Sequence, residues 1–340
     1  MTERSAPAIA TMAGCPRLYC GVFVTLPVAV ITLVLGFLVL AWSADRLVAT
    51  ASTLALHLGL APLLVGLFVV GFGTSTPELL VSALAAMEGQ PELALGNALG
   101  SNIANVGLIL GLTLLFIPLG RHRERERVTL GLLVIATFGT LLLLGDLRLT
   151  RGEGIALLGL LVLAMPLIAW ANRGNPDAAA APERAAHPLP RTVLGLAGSL
   201  VLLLISARAL IWAAVTLAEA AGVSQLVIGL SIVAVGTSLP ELATAFAAAR
   251  RQERALLYGN LIGSNLFNLL AVLGVTVVLH PLTVSLPVLL RDGVIMAALT
   301  VPLVLLARGA MGGARTLGAT LLVAFALYQL GLFLFAQGAP

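Results

Sequence analysis

Two glutamates lie within long apolar stretches of the sequence, where charged side chains are rare. Glu78 ends a Gly-Thr-Ser-x-Pro-Glu motif, and Glu241 ends a second copy of it. The other thirteen of the fifteen carboxylates fall in loops, tails or near the ends of apolar stretches. A charge at the centre of a bilayer costs about 2.5–3.5 kcal/mol on insertion scales. We therefore predict that the two glutamates bind a translocated cation; the alternative is a protonated, hydrogen-bonded packing pair.

The residues before each glutamate could supply further oxygen ligands. Glycine and proline in the motif predict a helix break in the middle of the membrane, which would free backbone carbonyls. Broken helices that face a cavity are a common way for transporters to coordinate ions. Each hydroxyl could equally form a hydrogen bond within its own helix. The candidate hydroxyl ligands are Thr74, Ser75, Thr237 and Ser238.

A Gly-Ser-Asn-x-x-Asn motif follows each glutamate in the next apolar stretch. Ser101 and Asn105 are four residues apart and share one helix face, and Ser264 and Asn268 repeat this spacing. The candidate set combines carboxylate, amide, hydroxyl and backbone oxygens and contains no Cys or His. Oxygen-only sets suit calcium or sodium and are poor for zinc or copper.

Composition places these motifs in a membrane protein. Hydrophobic residues make up 59% of the 340 residues and charged residues 10%, whereas soluble domains carry roughly 25% charged residues. Apolar stretches long enough to cross a bilayer recur along the chain. We predict an all-α polytopic fold with about ten spans. The predicted spans are 22–43, 59–86, 93–117, 128–145, 153–171, 192–216, 224–249, 255–279, 285–307 and 315–336.

The two halves of the chain are repeats. A shift of 163 residues, without gaps, superposes both the glutamate motif and the Gly-Ser-Asn-x-x-Asn motif on their second copies. Five spans per half is an odd number, so the second copy enters the membrane in the opposite orientation. We predict a first repeat at 1–171, a cytoplasmic linker at 172–191 and a second repeat at 192–340.

Arginine distribution predicts the orientation. Most of the nineteen basic residues, all of them arginine, follow odd-numbered spans. The positive-inside rule places those loops in the cytoplasm and both termini outside it, in a multi-pass protein of the bacterial inner membrane. Because the arginines lie in short loops, we expect membrane lipid as a partner, no nucleic acid and no obligate protein partner. We also expect no cofactor and no enzymatic activity, because the sequence shows neither a nucleophile–base pair nor a histidine metal triad, which argues against an intramembrane hydrolase.

The paired motifs resemble a known family. The stretches GFGTSTPELLVSALAAMEGQPELALGNALGSNIANVGLILG and AVGTSLPELATAFAAARRQERALLYGNLIGSNLFNLLAVLG are similar to the two alpha repeats of the cation/calcium exchanger superfamily. Its bacterial sodium/calcium exchanger branch is the most similar. The resemblance implies ten helices, with spans two, three, seven and eight around the ions and spans one and six sliding across them. It implies the ten polar residues above as ligands, together with the backbone carbonyls of Gly71 and Ala234.

The resemblance also implies exchange of calcium for sodium by alternating access. Archaeal exchangers similar to this chain have Asp where this sequence has Asn268, so the site carries at most the two glutamate charges. One calcium ion neutralises these charges, whereas three sodium ions would leave an excess positive charge, which brings a three-to-one exchange into question. Calcium/proton exchange remains an alternative, because burial favours protonated glutamate. A passive cation channel is a second alternative. A site that is built from two repeats at a helix break argues against it.

Overall fold

The computed structural model describes residues 17–119, 127–172, 188–222, 234–311 and 315–338, which are almost entirely helical. Within these residues, eight helices are long and apolar enough to cross a membrane, and one bent pair of shorter helices meets the same criterion when counted together as a ninth span. The predicted span 224–249 begins outside the described residues. The helices are α1 Arg17–Leu58, α2 Pro62–Thr74, α3 Thr76–Met87, α4 Pro91–Phe116, α5 Arg127–Asp146, α6 Arg151–Ala171, α7 Leu189–Ala220, α8 Ala234–Thr237, α9 Leu239–Arg250, α10 Arg254–Leu279, α11 Leu286–Ala307 and α12 Arg315–Gly338.

The first helix is longer than predicted. The sequence predicted that span one ends at residue 43 and that Arg46 lies in a loop, but α1 continues to Leu58. That prediction was wrong because residues 43–58 contain no glycine or proline, so one Asp-Arg pair does not stop the helix. The helix ends just before Gly59, which adopts a positive φ of 60°.

Helices α4 and α10 form the centre of the molecule. The most apolar stretch of α10 is 89% buried and that of α4 is 72% buried, against 22% in α1, α6 and α12. The outer helices present large apolar side chains to their surroundings, such as Leu142 at 81% and Val162 at 70% exposure. Such a surface suits contact with lipid. The polar motifs of α4 and α10 are thus separated from lipid by surrounding helices.

Glycines allow close helix crossings at positions related by the repeat. Gly154 of α6 and Gly274 of α10 pack against each other's backbone carbonyls, and Gly318 of α12 packs in the same way on Gly111 of α4. An added methyl group at Gly318 would stand 2.7 Å from the Gly111 carbonyl oxygen. The fifth span of each half therefore packs on the α4-type helix of the other half, as two inverted repeats require.

Helices α1 and α7 pack side by side and run antiparallel. Gly36 of α1 faces Leu210 of α7, and further along α1 Thr50 faces Gly195, so residue numbers rise along one helix as they fall along the other. These helices are the first spans of the two halves. Their opposite directions are direct evidence for the inverted topology.

A two-stranded sheet ties together two turns on one face of the molecule. Strand β1 (Arg148–Leu149) pairs antiparallel with β2 (Leu282–Thr283), and the Val284 amide donates to the Leu147 carbonyl at 2.8 Å. The turns before α6 and before α11 therefore lie on the same side. We call this the sheet face.

Candidate cation site

Both glutamate motifs contain the predicted helix break, and the two breaks have the same geometry. Ser75 separates α2 from α3 with φ −84° and ψ 4°, and Ser238 separates α8 from α9 with φ −88° and ψ 7°. The axes of α2 and α3 differ in direction by 43°. Each following helix has proline within its first two positions, where a missing N–H does least harm. The interruption is a single residue long.

The two glutamates are buried and close together. Glu78 is 1% exposed and Glu241 is 2% exposed. Ser75, three residues before Glu78 in the first half, donates its hydroxyl to Oε1 of Glu241 in the second half at 3.2 Å. The two halves therefore meet at one acidic centre, with neither carboxylate facing lipid.

The asparagines of the second motif begin widened helical turns. The α4 helix contains a π-helical turn at Asn105–Leu110, and α10 contains one at Asn268–Val272. Such turns occur often at functional sites, because the looser backbone leaves polar groups available. Asn105 and Asn268 are each 1% exposed.

Unsatisfied polar atoms are concentrated at the predicted ligands. Nine buried side-chain nitrogen or oxygen atoms have no hydrogen-bond partner within the described ranges, and six of them belong to predicted ligands. Buried polar groups are normally paired, so this concentration points to a missing binding partner. The six atoms are Glu78 Oε2, Glu241 Oε2, both side-chain polar atoms of Asn105, Ser238 Oγ and Asn268 Oδ1.

Among the remaining predicted ligands, Gly71, Thr74 and Ser264 lie together at the first break. The Gly71 carbonyl accepts from the Thr74 hydroxyl at 3.3 Å and from the Ser264 hydroxyl at 3.5 Å. A methyl group at Gly71 would stand 3.2 Å from the Asn260 carbonyl oxygen and the Ser264 nitrogen, so glycine permits this approach. Ser101 and Thr237 are 6% and 8% exposed, and Ala234 begins α8.

Two further asparagines organise the site, and the sequence prediction missed their role. Asn97 of α4 donates to the Glu78 carbonyl at 3.2 Å and to the Ser82 hydroxyl at 2.8 Å. Its repeat counterpart Asn260 donates to the Thr244 hydroxyl at 3.1 Å and accepts from Thr74 at 3.4 Å. The Gly-Asn pair shared by both repeats was the available signal.

A third buried carboxylate was also missed. Asp292 of α11 is 5% exposed and forms an ion pair with Arg291 at 2.6 Å. Tyr328 of α12 lies near Asp292. The sequence placed Asp292 near the end of a span, and its charged neighbour compensates it, so it differs from the two glutamates.

Comparison with known proteins identifies the family. The family model described as sodium/calcium exchanger protein matches the chain twice, over residues 28–170 and 191–334. The chain belongs to the sodium/calcium exchanger family. This match confirms the family predicted from the paired motifs, and that family is one of transporters. The two matched segments correspond to the two halves.

Relatives of this exchanger cover most of its length. CaxA of Alkalimonas amylolytica, a protein named as an antiporter, is 41% identical over 90% of this chain and 99% of its own. The inner membrane protein YrbG of Escherichia coli is 41% identical over 73% of this chain and 79% of its own. The solved sodium/calcium exchanger from Methanococcus jannaschii superposes with a TM-score of 0.77 at 26% identity, covering 89% of this chain and 97% of that one. The predicted fold, an all-α polytopic protein of inverted repeats, is confirmed.

Proposed function

We propose that this exchanger is a secondary active antiporter that exchanges calcium for sodium by alternating access at one site. The observation that carries the proposal is the pair of buried glutamates, one from each half. The Oε2 atom of each lacks a hydrogen-bond partner within the described residues. Two adjacent buried carboxylates repel each other and lose hydration. A bound cation offsets the repulsion between the carboxylates and takes the place of their lost hydration.

The chemistry around the glutamates favours hard cations. The side-chain ligands are Glu78, Glu241, Asn105, Asn268 and the Ser and Thr hydroxyls of the two motifs, and every donor atom is oxygen. Calcium takes six to eight oxygen ligands in flexible geometry. The carbonyls of Gly71 and Ala234 complete the proposed set. The names of the relatives support calcium and sodium as the transported ions.

Charge balance accounts for obligatory exchange. The empty site holds two carboxylates in a medium of low dielectric constant, which makes a closed, empty, doubly ionised state costly. Calcium or sodium ions compensate this charge, so occupied states close and cross more readily. The exchanger therefore returns only with a replacement cation, and ion leak is suppressed.

We also propose the arrangement of the chain in the membrane. The repeats occupy 1–171 and 192–340, the linker 172–191 lies in the cytoplasm, and both termini lie outside it. A bacterial inner membrane is the proposed location, supported by the name of the relative YrbG. With this orientation the sheet face is the outer face, and the turn between α9 and α10 lies on the inner face.

Reconstituted vesicles test the coupling ion. We expect calcium uptake only when an outward sodium gradient is imposed, with no uptake under a potassium gradient of equal size. Uptake driven by a pH gradient without sodium would show calcium/proton exchange instead. Conductance far above transporter turnover would show a channel.

Substitution of the two glutamates tests the site. Glu78→Gln and Glu241→Gln keep the side-chain shape and remove a charge, so each should reduce calcium exchange at least a hundredfold while the protein remains folded. Glu92→Gln, which changes an exposed glutamate at the start of α4, is the matched control and should exchange at the wild-type rate. Unchanged exchange in either site variant would refute the assigned role.

A further inference from the structure

The inner face is closed by contacts between α1 and the turn after α9. Arg251 donates two hydrogen bonds to the Asp45 carboxylate, at 2.7 and 2.6 Å, and Ser52 donates to Glu253 at 2.7 Å. The hydrogen bonds to Asp45 raise the pKa of the Arg251 guanidinium above its ordinary value, so the arginine stays charged. A two-bond arginine–carboxylate contact fixes geometry as well as charge. We call the Asp45–Arg251 pair the inner latch.

The repeat relates the two residues of the inner latch to two further charged residues. A shift of 163 residues carries Asp45 onto Arg208 of α7, and it carries Glu88, after α3, onto Arg251. The turns match as well, because Gly89 and Gln252 are also related by this shift and both adopt positive φ. Glu88 and Arg208 therefore form the repeat counterpart of the inner latch with the signs reversed. Charged residues make up 10% of the chain, so composition alone does not lead us to expect a second complementary pair there.

This counterpart is open in the structure. Glu88 and Arg208 are both exposed, and neither joins an ion pair within the described part of the chain. Its turn lies on the sheet face, because Gly89 and Glu92 share a surface pocket with Arg148 and Thr283. We call Glu88 and Arg208 the outer latch.

Helix packing shows the same asymmetry as the latches. α1 packs along α9 on the inner side, whereas α7 makes no comparable contact along α3 among the described residues. α9 buries seven of its twelve residues and the repeat-related α3 buries four. On the inner side α1 therefore covers α9, whereas α3 is less covered by the helices of the described chain.

We propose that the two latches are reciprocal: the inner latch holds the outward-facing state seen here, and closing of the outer latch holds the inward-facing state. Movement of α1 and α7 across the site breaks one pair as it forms the other. Because the two pairs have the same chemistry with opposite signs, the electrostatic stabilisation of the two end states is similar. This inference rests on the proposed alternating access and adds the residues that set the balance between the two states.

Cysteine cross-linking tests whether the latches alternate. In a background with Cys15→Ser and Cys20→Ser, a reducible bifunctional thiol reagent that spans the length of the replaced side chains should cross-link Asp45→Cys with Arg251→Cys readily, and Glu88→Cys with Arg208→Cys in a smaller fraction of molecules. When calcium is supplied on one side only, the two yields should change in opposite directions. Absence of the Glu88–Arg208 cross-link under all ion conditions would overturn the proposal, as would yields that rise together.

Charge exchange tests whether complementarity matters. Glu88→Arg and Arg208→Glu should each slow calcium exchange about two- to fivefold, the range for an exposed ion pair, and the double variant should recover most of the rate. Glu92→Arg is the matched control because its repeat counterpart is the uncharged Ala255; it should leave the rate unchanged. If the double variant were slowed by the product of the two single slowing factors, the two charges would act independently and the proposal would be overturned. Loss of sodium dependence in the unmodified exchanger would refute the proposed coupling ion and leave these latch results unaffected.

Discussion

Asn268 is the residue that limits the charge of the site. It is buried, its side-chain oxygen has no partner, and its repeat counterpart Asn105 is equally neutral. In the proposed site, Glu78 and Glu241 are therefore the charges that transported ions would compensate. One calcium ion or two sodium ions balance them, whereas a third sodium ion would leave an uncompensated charge in a medium of low dielectric constant.

This charge balance predicts electroneutral exchange of two sodium ions for one calcium ion. Sodium-driven calcium uptake into vesicles should not change when a membrane potential is imposed with potassium and an ionophore. The variant Asn268→Asp adds a third carboxylate and should make exchange sensitive to the potential by admitting a third sodium ion. Exchange that responds to the potential in the wild-type protein would contradict this charge balance.

The sequence identified the residues whose burial is energetically unfavourable. Glu78 and Glu241 stood out because ionised side chains are rare in apolar spans, and the 163-residue shift showed that they are related. Asn97 and Asn260 were aligned by the same shift, but their role depends on which hydroxyl or carbonyl lies opposite, which requires the packed structure. Asp292 was set aside because it lies near the start of a predicted span, and the structure shows that its neighbour Arg291 compensates it.

At the scale of the helices, close backbone crossings determine where the site residues lie. Gly259 of α10 crosses α2 so closely that an added methyl group would stand 2.3 Å from the Leu63 carbonyl oxygen. Backbone atoms cannot move aside as a flexible side chain can. This crossing brings the Gly71 carbonyl next to Ser264 and so connects the first break to α10.

Gly259→Ala should therefore destabilise the exchanger by about 1–3 kcal/mol, the usual cost of overpacking. The control is Gly131→Ala in α5, where an added methyl group meets no atom within 4 Å. Alanine there should stabilise the helix by about 0.5–1 kcal/mol through its better helix propensity. Thermal unfolding in detergent should show a lower Tm for the first variant only. Equal Tm values for the two variants would mean that the crossing adapts without cost.

Apolar length predicted the positions and order of the membrane spans well, and their ends less well. The end of α1 was misplaced by about one-third of its length, because a charged Asp-Arg pair was taken as a loop. In the structure Asp45 stays helical, since Arg251 from a distant part of the chain compensates it. Hydropathy cannot register a partner that lies 206 residues away in sequence.

At the scale of the whole molecule, the antiparallel pair α1 and α7 behaves as one unit beside the site. The two helices contact each other along their lengths, from Gly36 with Leu210 to Thr50 with Gly195. Helix α7 also reaches both helix breaks, because its Leu200 packs on Gly73 and its Ile211 packs on Gly236. A movement of this pair relative to α2, α3, α8 and α9 would open one face as it closes the other.

This arrangement predicts that two cross-links to α1 have opposite effects. Gly36→Cys with Leu210→Cys joins α1 to α7 within the moving unit and should leave sodium-driven calcium exchange at more than half the uncross-linked rate. Asp45→Cys with Arg251→Cys joins α1 to the turn after α9 and should stop exchange, with recovery after reduction. A reducible bifunctional thiol reagent is used for both pairs, because the Asp45–Arg251 contact is made by a long arginine side chain and two cysteines there would not meet directly. If the α1–α7 cross-link also stopped exchange, the two helices would have to slide past each other, and the alternation of the faces would require separate movement of each half.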